Sequence, residues 1–180
     1  NGSRLLDLIN DLLDIEKIES GKLTLVPEVF KLGELVREAI VLNKGFAERF
    51  KVRFEFAGAP HDRAVHADRK RLLQVMTNLL SNAAKFSPEG GVVEVTMEEA
   101  GPNVRVAVHD RGPGIPEAFR ARIFGRFAQA DSTTARQKGG TGLGLSISKR
   151  LVEMMQGRIG FESRAGGGTS FWFELPRHIS

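Results

Sequence analysis

Strand-like and helical segments alternate along most of this chain, and several strands follow one another directly. Strand patterns cover Thr24–Phe30, Val52–Phe56, Val92–Met97, Val104–Asp110, Arg158–Glu162 and Ser170–Leu175. Turn residues at 101–103 and 166–168 join the last two pairs, which is typical of antiparallel hairpins. We therefore expect an α/β fold, an α+β two-layer sandwich in which helices cover one face of a mixed, largely antiparallel sheet. This order disfavours a parallel doubly wound sheet.

Helical spacing of apolar residues predicts helices at Leu32–Phe46, Asp68–Phe86, Glu117–Phe124 and Leu143–Met155. Residues 3–20 form a further amphipathic pattern, with apolar side chains at Leu5, Leu8, Leu12 and Ile15. This stripe is too broad for a helix that stands alone in water. From the pattern alone, two partners remain open: the helix packs on its own domain, or it pairs with a missing helix in an antiparallel hairpin.

The composition excludes several kinds of protein. With 180 residues, 41% of them hydrophobic and 27% charged, the chain fits one globular domain with an appended element. The absence of cysteine excludes disulfides, thiolate metal sites and a cysteine nucleophile. No apolar run approaches the roughly 18 residues of a membrane span, so we expect no membrane contact through this segment. Because the chain lacks an initiator methionine, we expect a piece of a longer protein, whose membrane anchoring stays open.

The net charge of +4 raises the question of a nucleic-acid partner. The 26 basic residues are scattered among 22 acidic ones, without a basic run or an interleaving of basic and aromatic residues. A mildly basic, solvated surface explains this charge. We therefore expect that the chain does not bind nucleic acid.

The predicted helix Asp68–Phe86 has an unusual polar face opposite its broad apolar one. The polar face gathers Arg71, Gln74, Asn78, Asn82 and Lys85. Amide oxygens can ligate Mg²⁺, and a lysine ammonium can contact phosphate. An ordinary solvated face is the alternative, and this pattern alone does not decide between the two.

A carboxylate and two glycines follow a predicted strand, in Asp110-Arg111-Gly112-Pro113-Gly114-Ile115. A carboxylate fixed at the end of a strand can accept a hydrogen bond from an exocyclic amine such as that of adenine. The glycines let the backbone approach a base without an intervening Cβ. A simple Asp-Gly turn is the alternative reading of the same residues.

A dense glycine run, Gly139-Gly140-Thr141-Gly142-Leu143-Gly144-Leu145, opens the predicted helix Leu143–Met155. Backbone N–H groups and the helix dipole at such a start favour anionic phosphate. The spacing differs from the Rossmann fingerprint, and no Gly-Lys-Ser/Thr follows as in a Walker loop. A purely structural glycine linker is the alternative.

In this order, the three segments resemble the ATP-binding fold shared by histidine kinases, gyrase-type topoisomerases, heat-shock ATPase chaperones and mismatch-repair ATPases. Finer features are similar to the histidine kinases. Residues 78–86, 123–127, 140–147 and 166–171 resemble, respectively, their asparagine box, phenylalanine box, second glycine box and closing glycine-rich turn. Residues 12–21 resemble the end of their second dimerisation helix. The resemblance covers essentially the whole chain and implies two parts: the C-terminal part of that helix at 1–21 and the catalytic ATP-binding domain at 22–180.

The resemblance implies roles for the matching positions. Asn82 would ligate Mg²⁺ beside Asn78 on the phosphate side, and Lys85 would contact phosphate, which makes Asn82 and Lys85 the catalytic pair. Phe86, where many relatives have tyrosine, would lie against adenine, and Asp110 would accept a hydrogen bond from its amine. A mobile lid would extend from about Arg126 to Gly140. The other positions implied in nucleotide binding are Gly112, Gly114, Ile115, Arg126, Lys138, Gly140, Thr141, Gly142, Leu143, Gly144, Leu145 and Thr169.

The implied activity is that of an ATP-dependent protein-histidine kinase of two-component signalling, with ATP and Mg²⁺ as cofactors. The γ-phosphoryl group would pass to a histidine on a dimerisation helix. Implied partners are the protein's own dimerisation domain, in a homodimer, and the receiver domain of a response regulator; the implied location is cytoplasmic.

Two other activities compete with this one. ATP-driven clamps of the topoisomerase or chaperone kind hydrolyse ATP with a glutamate in the asparagine-box helix. Here that helix offers Gln74 and no glutamate between Asp68 and Ser87, which favours phosphotransfer. A nucleotide-binding scaffold without catalysis is disfavoured by the intact boxes.

The chain departs from the family pattern at the phosphoacceptor. The family's acceptor histidine lies on a helix upstream of the segment that resembles residues 1–21. The four histidines of this chain are His61, His66, His109 and His178, and none has that helical setting. His109 precedes Asp110 on a predicted strand and is interpreted as a structural residue. We therefore expect the acceptor to lie outside this chain.

Overall fold

The computed structural model describes residues 2–58, 62–113, 143–163 and 167–179. The predicted helix Glu117–Phe124 and the predicted lid at 126–140 lie outside these ranges. The helices are α1 (Gly2–Glu19), α2 (Leu32–Leu42), α3 (Lys44–Phe50), α4 (Arg69–Phe86) and α5 (Gly144–Met154). The strands are β1 (Glu28–Lys31), β2 (Arg53–Phe56), β3 (Ala64–Ala67), β4 (Val92–Ala100), β5 (Asn103–His109), β6 (Arg158–Ser163) and β7 (Thr169–Pro176).

A five-stranded sheet in the order β2-β4-β5-β7-β6 forms one layer of the molecule. The pair β2–β4 is parallel, and the other neighbouring pairs in this sheet are antiparallel. Strands β1 and β3 form a separate antiparallel pair. The predicted sandwich of helices on a mixed, mostly antiparallel sheet is confirmed.

The core lies between this sheet and the helices. On β5, Val104, Val106 and Val108 are buried, and they alternate with residues on the opposite face of the sheet. Helix α4 turns its apolar face toward the core, and α5 packs beside α4 and against β6 and β7. The apolar residues that α4 buries are Leu72, Val75, Met76, Leu79, Leu80, Ala83 and Ala84. Each fully buried leucine contributes about 1.5–3 kcal/mol relative to exposure. The packing fixes the rotation of α4 and thus the direction of its polar face.

The predicted helix Leu32–Phe46 is interrupted at Asn43. Its side-chain Nδ2 donates to the Ala39 carbonyl at 2.8 Å and to Thr77 Oγ1 at 3.0 Å. The backbone of Asn43 has φ −105° and ψ 16°, and α3 begins at the next residue. The buried amide thus ends α2 and ties it to α4.

The prediction of a strand at 24–30 was too long, since β1 begins only at Glu28. The backbone N–H of Val26 donates to Asp68 Oδ2 at 2.9 Å, so this segment is bonded to the start of α4 rather than to a strand. Pro27 follows and has no N–H for a sheet ladder. Strand β3, which pairs with β1, was not predicted from the sequence.

Helix α1 has two different halves. Near its C-terminal end, Ile15 and Ile18 are buried in the core cluster. Toward the N-terminus the apolar stripe lies in the open, with exposed side chains at Leu5, Leu6, Ile9, Leu12 and Leu13. The C-terminal end of the helix therefore packs on its own domain and Leu8 packs partly against the core, while these five side chains are not covered by any residue that the structure describes. Among the helices in the described ranges, none is both long and apolar enough to cross a membrane.

The face of the sheet opposite the core carries a polar cluster around Glu174. Its carboxylate is buried, and it accepts hydrogen bonds from Arg105 Nε at 2.7 Å, Arg158 Nη2 at 2.8 Å and Asn103 Nδ2 at 3.3 Å. The Arg105 guanidinium also stacks on Trp172, 4.0 Å from the ring centroid. Strands β5, β6 and β7 are therefore linked by side chains as well as by the backbone ladder.

Candidate functional site

The polar face of α4 is divided among three tasks. In its first turns, Arg71 Nη1 lies 3.3 Å from Asp14 Oδ1, and Gln74 Nε2 donates to Asp14 Oδ2 at 2.9 Å. Arg71 also donates to Gln74 Oε1 at 2.9 Å. These residues of the predicted polar face hold α1 and do not face the site described below.

In the middle of α4, Asn78 joins this helix to α5. Its Nδ2 donates to the Gly144 carbonyl at 3.1 Å and to Ser148 Oγ at 3.0 Å. A Cβ on Gly144 would lie 3.2 Å from Asn78 Oδ1, so glycine permits this close approach. Asn78 thereby positions the start of α5, the helix that the glycine run opens.

One turn further on, Asn82 points from the same face of α4 and is half-buried. Within the described ranges its amide forms no hydrogen bond, in contrast to Asn78. The polar atoms of this amide are therefore available to a bound group that accepts its N–H or that donates or coordinates to its oxygen.

The last turn of α4 carries Lys85 and Phe86. The Lys85 Nζ lies 5.9 Å from the centroid of the Phe86 ring. Burial lowers the pKa of Lys85 below its usual 10.5, and the positive charge of Arg49 lowers it further. An anion bound close to Nζ would favour the ammonium and raise this pKa.

The carboxylate of Asp110 is held at the end of β5. It is buried, and its Oδ1 accepts hydrogen bonds from the backbone N–H of Gly112 at 2.9 Å and of Thr169 at 3.1 Å. In return, the Asp110 N–H donates to the Thr169 carbonyl at 2.9 Å. Two backbone amides thus fix the orientation of the carboxylate.

Two glycines let the main chain close around Asp110. A Cβ on Gly112 would collide with the carbonyl oxygen of Phe86, and one on Gly168 would collide with the carbonyl oxygen of Asp110. Gly168 also has φ +91°, a conformation that side-chain-bearing residues rarely adopt. The Arg111 N–H donates to Ser87 Oγ at 3.2 Å, which fastens this turn to the end of α4.

The glycine run is described only from Leu143 onward. Leu143 is fully buried and belongs to the hydrophobic core. Gly144 begins α5, and Leu145 is partly buried against the core. Thr169 is 2% exposed and acts on the site through its bonds to Asp110.

Several predicted nucleotide contacts lie outside the described residues and stay predictions. They are Gly114, Ile115, Arg126, Lys138, Gly140, Thr141 and Gly142. Two residues that shape the site, Gly168 and Ser87, were not among the predicted nucleotide contacts. Gly168 was predicted only as part of a glycine-rich turn, and its positive φ agrees with that turn.

The described residues fit an adenine nucleotide with a divalent cation. A fixed buried carboxylate suits an exocyclic amine, and the glycines beside it allow the close main-chain packing that holds this carboxylate. The Asn82 amide and the Lys85 ammonium lie on the neighbouring helix and suit a cation and phosphate. In the described ranges, no group of three or more His, Asp or Glu residues is placed to hold a metal ion.

The comparison with known proteins defines the class. Residues 67–179 match the family described as histidine kinase-, DNA gyrase B- and HSP90-like ATPase, and the chain belongs to this family. Within the family, the relatives that it matches include sensor histidine kinases. The sensor protein GacS of Pseudomonas syringae pv. syringae is 40% identical over 97% of this chain. The chain spans 20% of the length of that relative.

Two solved histidine kinases share both sequence and fold with the chain. Full-length ShkA in complex with AMPPNP is 34% identical, with a TM-score of 0.84 over 99% of this chain and 37% of ShkA. The catalytic domain of ThkA is 36% identical, with a TM-score of 0.71 over 85% of this chain and 97% of that domain. ThkA has also been solved in complex with the response regulator protein TrrA, where 97% of this chain and 49% of the other are matched at 32% identity and a TM-score of 0.72. The resemblance to histidine kinase catalytic domains is confirmed.

Proposed function

We propose that residues 22–180 bind Mg-ATP and transfer its γ-phosphoryl group to a histidine on a dimerisation helix outside this chain. Residues 1–21 would be the C-terminal part of the second dimerisation helix. The observation that carries this proposal is the buried Asp110 carboxylate, fixed by the amides of Gly112 and Thr169 at 2.9 and 3.1 Å. The carboxylate is held by two backbone amides at the end of a strand, next to the helix that carries Asn78 and Asn82. This arrangement favours an adenine-binding site over a simple solvated turn.

Each residue of the site would do a limited task. Asp110 accepts a hydrogen bond from the adenine amine, and Phe86 offers an apolar ring to the base. Asn82 would hold Mg²⁺ through its amide oxygen, and the cation supplies neutralising charge to the triphosphate when bound. Lys85 contributes a positive charge to the phosphates.

The reaction needs little covalent chemistry from these residues. The bond between the γ-phosphorus and the oxygen bridging it to the β-phosphate breaks as a bond to the imidazole nitrogen of the acceptor forms, and ADP leaves. Catalysis then comes from positioning and charge neutralisation. The fixed Asp110 carboxylate and the helix α4, which carries Asn82 and Lys85, would provide both.

The partners follow from the surface of α1. Its exposed leucines and isoleucine form an apolar stripe that suits a second helix of a hairpin, and we propose that the longer protein uses it in a dimer. A response regulator receiver domain would accept the phosphoryl group from the histidine. We expect this part of the protein to act in the cytoplasm and away from nucleic acid.

Hydrolysis of ATP, as in the clamp-type members of the family, has less support. Helix α4 has no glutamate, and Gln74, the polar residue in its second turn, uses both side-chain atoms in contacts with Asp14 and Arg71. A water molecule near the triphosphate would therefore find no general base on this helix.

Calorimetric titration of Mg-ATP into wild type and Asp110→Asn tests the proposal. Losing the acceptor for the adenine amine should weaken binding by roughly 10- to 100-fold. Asp68→Asn is a matched control, since the buried Asp68 also accepts two backbone N–H groups, those of Arg71 and Val26. We expect Asp68→Asn to lower stability and to keep the wild-type Kd. Equal Kd values for wild type and Asp110→Asn would refute the assigned site.

A further inference from the structure

His109 lies directly behind the candidate adenine-binding carboxylate, on the other face of the sheet. It is the last residue of β5 and precedes Asp110. In the register of the sheet, His109 is opposite Glu94 on β4 and Ser170 on β7. Because side chains alternate along a strand, His109 shares the outer face with these partners, while Val108 points into the core.

The imidazole of His109 links three strands. Its Nε2 lies 3.0 Å from Thr96 Oγ1 on β4, and its Nδ1 lies 2.5 Å from Ser170 Oγ on β7. A hydroxyl can donate or accept, so both ring nitrogens remain bonded in either neutral tautomer and in the imidazolium. The three-strand link therefore does not depend on the protonation state of the ring.

The link lies one residue away from the bonds that hold Asp110. Ser170 follows Thr169, whose N–H donates to Asp110 Oδ1 at 3.1 Å and whose carbonyl accepts from the Asp110 N–H at 2.9 Å. The side-chain link His109–Ser170 and the backbone link Asp110–Thr169 are thus consecutive rungs between β5 and β7. Movement of one rung shifts the other.

This position is where the ladder ends. Strand β5 stops at His109, and β7 starts at Thr169 after Gly167 and Gly168, both with positive φ. Rungs at strand ends open more easily than those in the middle, because they have a neighbouring rung on one side only. A side-chain bridge at the final rung opposes that opening where Asp110 must keep its direction.

We propose that His109 is a positioning residue for nucleotide binding: by clamping β5 to β7 and β4, it keeps the Asp110 carboxylate and its two amide donors in register. The expected effect of His109 on ATP affinity rests on the proposed function. Its structural part, the clamp on the Asp110–Thr169 rung, is a property of the free chain. The two parts are measured separately.

The test compares wild type, His109→Val and His109→Asn. Valine suits a strand but makes no hydrogen bond, whereas the asparagine amide nitrogen occupies a place near that of Nδ1 and restores the bond to Ser170. We expect His109→Val to speed amide hydrogen exchange of Gly112 and Thr169, measured by NMR, about fivefold, and to raise the Kd for ATP by about the same factor. His109→Asn should recover most of both effects.

Two controls separate positioning from general stability. His66→Val removes a histidine from β3, remote from the Asp110 rung, and should leave both readouts unchanged. Thr96→Val removes only the link to β4, so we expect a smaller effect than that of His109→Val.

Each outcome decides one statement. Unchanged exchange at Gly112 and Thr169 in His109→Val would overturn the inference, and so would an increase spread evenly over β4, β5 and β7. Loss of ATP affinity in His109→Asn as large as in His109→Val would overturn the role of the Ser170 link. If wild type did not bind ATP, the proposed function would fail, while the exchange rates would still decide whether His109 clamps the rung.

Discussion

Asp14 of α1 and Arg71 of α4 form an ion pair, with 3.3 Å between Asp14 Oδ1 and Arg71 Nη1. Both side chains are about one-fifth exposed, at 19% and 20%. The pair, with Gln74 bonded to the same carboxylate, joins the N-terminal helix to the helix that carries the candidate cation and phosphate ligands. A change in the position of α1 would therefore act directly on the first turns of α4.

Removing this pair should loosen α1 without harming the nucleotide site. We expect Asp14→Ala to lower the free energy of unfolding by about 1 kcal/mol, between the values for exposed and buried pairs, and to speed amide exchange around Ile15 and Ile18. The Kd for ATP should stay at the wild-type value. Glu16→Gln, an exposed neighbour on α1, is the control. Equal stability of Asp14→Ala and wild type in urea titrations would contradict the expectation.

Asn82 should differ from Asn78 in its response to Mg²⁺. We expect Asn82→Ala to weaken ATP binding at least tenfold in Mg²⁺ and to bind equally with and without the cation, because the ligand oxygen is gone. Asn82→Asp keeps an oxygen and should keep the dependence on Mg²⁺. Asn78→Ala breaks the bonds to Gly144 and Ser148 and should lower the melting temperature most. An Mg²⁺ dependence in Asn82→Ala equal to that of wild type would remove Asn82 as the ligand.

Lys85 should oppose folding and favour binding. Its folded pKa is lowered, so folding disfavours the ammonium, and this penalty is largest below the folded pKa and disappears as the pH rises through the usual 10.5. We expect Lys85→Met to melt at a higher temperature than wild type near neutral pH, yet to bind ATP about tenfold more weakly. Lys70→Met, on the exposed side of the same helix, should change neither the melting temperature nor the affinity for ATP. Thermal melts with and without ATP distinguish these outcomes.

Glu174 should make the fold sensitive to acid. Burial raises the pKa of Glu174, but hydrogen bonds from Arg158, Arg105 and Asn103 and the charge of Arg105 outweigh it, so the pKa lies below its usual 4.5. The unfolded chain binds the proton more tightly, so this stabilisation is present above the unfolded pKa and is lost as the pH falls through the folded pKa. We expect the melting temperature of wild type to fall more steeply below pH 4.5 than that of Glu174→Gln. Parallel curves for the two proteins would show that the cluster contributes nothing to the pH dependence.

The chain alone should not phosphorylate itself. None of its histidines in the described ranges lies on a helix, and His109 is bonded on both sides. We expect labelled ATP to leave no acid-labile, base-stable phosphate on this chain, and to label a supplied dimerisation hairpin that carries an acceptor histidine. Asp110→Asn should lose the labelling of the hairpin. Rapid release of inorganic phosphate without any acceptor would instead support hydrolysis.

The parts of the fold that sequence analysis predicted depend on neighbours along the chain. Helix α4 follows from its apolar spacing and its capping residue Asp68, and Asn78 and Asn82 share a face because they are one turn apart. The end of β5 places Asp110, since its alternating valines define the strand. Local pattern therefore predicts which residues carry the candidate chemistry.

The features that the sequence analysis did not predict depend on contacts between residues far apart in the chain. The break at Asn43 needs Thr77, 34 residues later, and strand β3 becomes a strand only by pairing with β1. The Asp14 carboxylate meets Gln74 across 60 residues. No spacing within a helix or strand predicts such contacts, because their geometry is set by the packing of whole elements.

The glycines at 112 and 168 have a consequence for inhibition. Both residues are buried, and a Cβ at either position would press on a carbonyl oxygen, so a side chain there would displace the main chain around Asp110. For a compound that competes with ATP at the proposed site, resistance through substitution of either glycine would therefore come at the expense of ATP binding.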